Sequence, residues 1–253
     1  MKFITWKNDK DLIAGTSLRL QNRKEANNLA LHVCEDIENI LENRKQFSDA
    51  LGIDINSWVY PQQTHSDHIK EVTKQDCGKG VSSYTSGIPD CDAIYTKDKL
   101  VALGVFHADC VPILLYDPIQ QIICAIHSGW QGTVKEITAK ALDHLIQKEG
   151  CKPQNMLAYI GPAIGFNSFE VEQDVLQQVQ NMSFPTEAYI AFPSSNKALV
   201  DCKGLNKQML LNKGLLSEHI TVDKNDTYQN NDVLFSYRRD PSCGRHVTFI
   251  MRK

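Results

Sequence analysis

The sequence is short of the features that mark specialised classes. No apolar run approaches the ~20 residues needed to cross a bilayer, and the opening stretch MKFITWKNDKDLIAG has no long apolar core. Neither a membrane span nor a secretory signal peptide is expected, and the expected location is cytoplasmic. No C-x-x-C pair occurs among the eight cysteines, Cys34, Cys77, Cys91, Cys110, Cys124, Cys151, Cys202 and Cys243. In a cytoplasmic chain of this size that pattern means mostly free thiols, with one or two functional exceptions, rather than a disulfide framework. Charge of one sign is also lacking. The 27 Lys and Arg face 30 Asp and Glu, a formal net charge of −3. Basic residues are scattered apart from short groups such as Tyr237-Arg238-Arg239, so there is no electrostatic ground for nucleic-acid binding. Repeats, low-complexity tracts and clear linkers are missing. The 253 residues therefore read as a single domain over 1–253, long enough to bury a sizeable core.

What the sequence does have is an α/β pattern with polar breaks at the strand ends. A helix is expected over 36 to about 51, where Ile37, Ile40, Leu41 and Leu51 share roughly one side. Residues 58–61 read as a short strand leading to Gln63 and His65. Residues 76–92, rich in Gly, Ser and Asp, read as a long loop of the kind that often carries function. Apolar runs at 101–108, 111–116 and 122–127 predict three strands, the last two joined at the turn signal Asp117-Pro118. A helix follows over 133 to about 149, with Val134, Ile137, Ala141 and Leu145 on one face. Thr133 and Glu136 have capping-box spacing, and Gly150 is placed to stop the helix. Later, 156–160, 219–222 and 246–251 read as strands, and 169–182 and 202–212 as helices. Helical stretches between the later strands favour an α/β (α+β) fold with a mixed sheet or two packed sheets over a regular parallel one.

Three residues far apart in this pattern carry chemistry: His65 in QTHSD, Cys110 in HADCVPILLYDP and His127 in CAIHSGWQGT. A hairpin folded about Pro118–Ile119 sets Cys110 opposite His127. Opposed side chains lie ~4.5–5.5 Å apart at Cβ, close enough to share a metal. Two imidazoles and a thiolate leave a fourth position open, which is how catalytic zinc sites differ from structural ones. The glycine-containing turn Ser128-Gly129 would then deliver a helix N-terminus beside the metal, where free N–H groups and the dipole favour an anion such as phosphate. Taken singly, a lone Cys between apolar runs is usually a core residue, and a strand-to-helix turn is usually only a turn. The polar neighbours Asp109 and Ser128 are odd choices for a buried sheet interior and favour the functional reading. His68 and His107 are competing ligands, ranked as outer or structural groups because His107 falls on the opposite face of an extended strand from Cys110.

With these residues in place a resemblance becomes specific. QTHSD, DAIYT, ADCVPILLYDP, AIHSGWQGT, IGPAIG…FEV and SYRRD…CGR, in this order, resemble the motifs of the YfiH/YlmD family, also called the multicopper polyphenol oxidase (laccase) family. The resemblance spans nearly the whole chain. It implies a CNF1/YfiH-like fold of two packed mixed β-sheets flanked by helices. It implies a zinc held by His65, Cys110 and His127, with copper as the metal of the older laccase label. It also implies cleavage of adenosine, inosine and methylthioadenosine with phosphate, and deamination of adenosine. Cys110, His127, His65 and Asp109 are then the catalytic candidates. Gln63, Ser128 and Gly129 are candidate substrate contacts, and Glu170 is a further acid or base candidate.

Two departures from the family pattern bear on phosphate. The N-terminal TR-x-GG-x-S segment is eroded to Thr16-Ser17-Leu18-Arg19-Leu20-Gln21, and HAGWRG reads HSGWQG, with Gln131 in place of the usual Arg. Arg grips phosphate with two hydrogen bonds and a charge, whereas Gln is neutral. Phosphate handling would therefore move to Arg19, Arg44 or Arg238. Competing readings are a metal-free Cys110/His127 hydrolase or deamidase, a copper-dependent phenol oxidase, and a zinc-stabilised binding module. The expected assembly is a monomer or homodimer.

Overall fold

The computed structural model describes residues 3–194 and 197–253. In chain order its elements are β1 (Phe3–Asn8), β2 (Leu12–Ser17), α1 (Ile37–Leu51), β3 (Trp58–Val59), β4 (Ile69–Glu71), β5 (Ala93–Thr96), β6 (Ala102–His107), β7 (Val111–Asp117), β8 (Ile122–Ser128), α2 (Trp130–Val134), α3 (Ile137–Glu149), β9 (Leu157–Ile160), β10 (Glu170–Val171), α4 (Gln173–Gln180), β11 (Ile190–Ser194), β12 (Lys197–Val200), α5 (Cys202–Asn212), β13 (Ile220–Val222) and β14 (His246–Arg252).

Two large mixed sheets, of five strands (β1-β2-β14-β6-β3) and six strands (β13-β9-β7-β8-β5-β4), pack face to face. The alternation along each strand builds the layers, because successive side chains leave a strand on opposite faces. On β8, Ile123 and Ala125 meet Leu103 and Val105 of β6 between the sheets. Ile122, Cys124 and Ile126 pack on the outer face against Ile137, Ala141 and Leu145 of α3 and Leu205 and Met209 of α5. The outer face of the five-stranded sheet carries Trp58, Phe106 and Phe249, covered by Phe47 of α1. Both faces of β6, β7 and β8 are buried, so these strands read as continuous apolar runs rather than alternating ones.

Several local expectations hold. Asp36 caps α1 by accepting from the Glu38 N–H at 3.0 Å, and Gly150 ends α3 in the left-handed conformation, φ 68°. Others change. A third, three-stranded sheet, β10-β12-β11, was not expected. It takes Glu170 and Val171 out of the helix read over 169–182, because both pair with β12, and α4 starts only at Gln173. The helix read over 133–149 is two helices, broken where Glu136 adopts φ 60°. The Thr133–Glu136 capping box does not form. The Thr133 hydroxyl instead bonds Ser128 Oγ, and the Glu136 carboxylate accepts from Ser183. The β7–β8 turn is also longer than expected. Asp117 accepts from the N–H groups of Ile119 and Gln120, and Gln121 takes φ 58°, so four residues form the loop. His127 consequently pairs with Pro112, not Cys110.

Candidate metal centre

The site lies at one mouth of the two-sheet sandwich. Both His65 and Cys110 sit on connections that cross from the five-stranded to the six-stranded sheet, β3 to β4 and β6 to β7. His127 is near the end of β8, on the face turned toward the other sheet with Ile123 and Ala125. The register correction leaves this facing intact. Pro112 opposite His127 and Cys110 two residues earlier share one side, because a shift of two preserves strand parity.

The ligand atoms of His65, Cys110 and His127 all lie within 4.8 Å of one another. Cys110 Sγ is 4.0 Å from His65 Nε2, and the two imidazole rings meet nearly edge-on at 5.0 Å. Two nitrogen or sulfur donors on one tetrahedral zinc lie about 3.3–3.6 Å apart, so a small contraction of this cluster would close on an ion. The donor set of two imidazoles and a thiol fits zinc or copper.

The group that organises the cluster is Asp92, which the sequence reading did not single out although it opens the DAIYT motif. Its carboxylate is fully buried. It accepts the Nδ1–H of His127 at 2.7 Å, and the backbone N–H groups of Thr64, His65 and Ser66 at 3.1, 3.2 and 2.7 Å. The Ser66 hydroxyl adds a bond at 2.8 Å. Three successive N–H groups around one anion form a nest, and His65 takes φ 57° to make it. One carboxylate thus places His65 and fixes the His127 tautomer that presents Nε2 to a metal.

Burial disfavours charge on both His127 and Cys110. Nevertheless Cys110 and Asp92 together hold the His127 imidazole well above its ordinary pKa. His127 and His65 hold the Cys110 thiol below its own. A thiol inclined to ionise is what a metal or an electrophile meets most readily. Gly129 completes the packing. A Cβ there would stand 2.7 Å from His65 Cδ2 and 3.1 Å from Cys110 Sγ, so only glycine lets the chain pass behind the cluster.

The triad opens into a cavity of about 1230 Å³. Tyr84, Phe106, Trp130, Phe169 and Tyr237 give it aromatic faces, and Arg238, Arg245 and Lys197 give it positive charge. Gln63 and Ser128 also line it. The Gln63 amide brackets Phe106, accepting its N–H and donating to its carbonyl, both at 2.7 Å. Arg238 also lines it, its guanidinium 5.4 Å from the Phe169 ring centre and donating to the Glu170 carbonyl. Glu170 faces Lys197 at 2.6 Å.

Asp109 lines the cavity with its carboxylate engaged by Thr227 and the Arg238 N–H. Two of the arginines expected to serve phosphate do not line the cavity. Arg44 is buried under the aromatic layer and donates to the carbonyls of Leu29, Gly80 and Val81. Arg19 donates to Asn231 outside the cavity lining. His68 pairs with Asp90 on the surface. His107, buried, bonds Thr248 Oγ1 at 2.7 Å and is not one of the three clustered ligands. The short helix α2 starts at Trp130, and Gln131 points outward, exposed.

Fold and site together define a two-sheet α/β sandwich whose mouth holds a candidate three-ligand metal centre. The chain belongs to the multi-copper polyphenol oxidoreductase laccase family, whose model matches residues 15–253. It is 35% identical to the purine nucleoside phosphorylase YlmD of Bacillus subtilis over 98% of this chain and 91% of that protein. It is 31% identical to the purine nucleoside phosphorylase YlmD of Geobacillus stearothermophilus over 89% of this chain and 83% of that protein. The crystal structure of a hypothetical protein YfiH from Bacillus licheniformis matches with a TM-score of 0.92 at 31% identity, covering 96% of this chain and 93% of that one.

Proposed function

We propose that the chain is a zinc-dependent purine nucleoside phosphorylase, acting on adenosine, inosine and methylthioadenosine, with adenosine deaminase activity. The observation that carries this reading is the His65–Cys110–His127 cluster opening onto a cavity that combines aromatic faces with arginines. The names of two relatives support the phosphorylase part of this reading. When bound, zinc supplies a Lewis acid beside the substrate.

The chain's own residues supply the rest. Asp92 keeps His127 in one tautomer. Tyr84, Phe106 and Tyr237 offer apolar faces of the size a purine stacks on. Arg238 and Arg245 offer planar, permanently charged donors to phosphate, a role that exposed Gln131 does not fill. In phosphorolysis a phosphate oxygen bonds to ribose C1′ as the bond to the purine nitrogen breaks. The purine leaves with a proton, and ribose 1-phosphate remains. No described helix is long and apolar enough to cross a membrane, and a cytoplasmic single domain over 1–253, monomeric or homodimeric, suits this role.

The test has two parts. Protein purified without added metal should carry about one zinc per chain, lost in Cys110→Ala. That protein should release hypoxanthine from inosine only with phosphate present, and inosine from adenosine without it. Full zinc occupancy with no hypoxanthine release would overturn phosphorolysis. Copper in place of zinc, with phenol oxidation, would favour the oxidase.

A further inference from the structure

One wall of the cavity is not built from regular structure. The segment 227–238 runs between β13 and β14 as a series of turns and brings Tyr237 and Arg238 to the cavity. It is tied together by the residue that follows it, Arg239, whose guanidinium donates to the carbonyls of Thr227, Tyr228 and Leu234. Arg19 pins its outer side at Asn231. Its link to the metal loop is Asp109. Oδ1 accepts from the buried Thr227 hydroxyl at 2.5 Å, and Oδ2 accepts from the Arg238 backbone N–H at 2.7 Å. One carboxylate therefore holds both ends of the segment, and the next residue in the chain is the ligand Cys110.

We infer that Asp109 is a positioning residue: its two hydrogen bonds fix segment 227–238, and with it the Arg238 guanidinium, at a set place relative to Cys110. Each carboxylate oxygen accepts one of the two donors. An alanine removes both acceptors, whereas an asparagine could keep both ties, its oxygen accepting from the Arg238 N–H and its NH₂ donating to a Thr227 hydroxyl turned to accept. The kinetic consequence rests on the phosphorylase reading. The structural consequence does not.

The experiment compares zinc-loaded wild type, Asp109→Ala and Thr227→Val. Amide hydrogen exchange across 227–238 should speed up in both variants, more in Asp109→Ala, with zinc content unchanged. The KM for inorganic phosphate should rise about tenfold in Asp109→Ala, with the KM for inosine nearly unaltered. Thr227→Val removes one arm only and should show a smaller shift in the same direction. Unchanged exchange across 227–238, or loss of zinc from Asp109→Ala, overturns the inference. If wild type shows no phosphorolysis while exchange still accelerates in the variants, the phosphorylase reading fails and the clamp stands.

Discussion

Asp92 Oδ1 lies 2.7 Å from His127 Nδ1, and both side chains are buried. The same carboxylate caps the backbone that carries His65. Two of the three candidate ligands are thus oriented by one group that does not touch the metal position itself.

Replacing that group should therefore damage the centre without touching a ligand. In Asp92→Asn the amide would point an N–H at donors now facing oxygen. Zinc affinity should fall roughly 10–100-fold, the cost typical of losing a partner of a metal-bound histidine. Competition with a chromogenic chelator measures it. Wild-type affinity in the variant would remove Asp92 from this role.

Gly129→Ala tests the packing behind the cluster. Its Cβ would meet His65 Cδ2 at 2.7 Å, closer than real Cβ contacts come. The histidine must swing away, so zinc binding should weaken by at least about tenfold while the cores, remote from the mouth, stay folded. Zinc titration with circular dichroism reads both. Full-strength binding in a folded Ala variant would contradict the close approach.

Thiol reactivity should separate Cys110 from the rest once metal is removed by chelation. Burial pushes the thiols of Cys34, Cys77 and Cys243 up, whereas His127 and His65 bring Cys110 down despite its burial. A raised thiol loses about tenfold in thiolate for each pH unit below its pKa. Between pH 8 and 7 the three reference thiols should slow by that factor, and Cys110 by clearly less. Added zinc should protect Cys110 alone. Equal pH slopes for all four, read by mass spectrometry of alkylated peptides, would contradict the coupling.

Arg44→Ala should act on stability and leave the centre alone. The residue is 3% exposed, and its guanidinium serves three carbonyls while lying 4.7 and 5.0 Å from the Tyr60 and Phe106 ring centres. Removal leaves those carbonyls unpaired at a cost of about 3 kcal/mol or more. Urea unfolding should show this loss with zinc content unchanged in the folded protein. A stable variant with weakened phosphate binding would restore the original expectation for Arg44.

The apolar runs made β6, β7 and β8 legible, and with them the facing of Cys110 and His127. The register was off by two residues because nothing in Asp117-Pro118 announces that Asp117 folds back on two N–H groups and lengthens the turn. The error was harmless for the site, since parity survives a shift of two. Glu136 hid a helix break, because a left-handed glutamate leaves no compositional trace. Arg44 and Arg19 looked like free cations, and only tertiary structure shows that carbonyls and Asn231 already claim them. Asp92 had a readable signal, a charged residue directly before a fully buried strand. Its partners lie on two other segments, so its task could not be read locally.

The crossing connections that carry His65 and Cys110 also give the centre a second meaning. A slip of one residue between β7 and β8 would send the segment leading to Cys110 to the wrong face, and an undocked β3–β4 crossing would leave His65 away from its partners. Neither misassembled chain could gather all three ligands. A complete three-ligand cluster is thus a readout of the whole assembly: it forms only where the two sheets have met in the correct register.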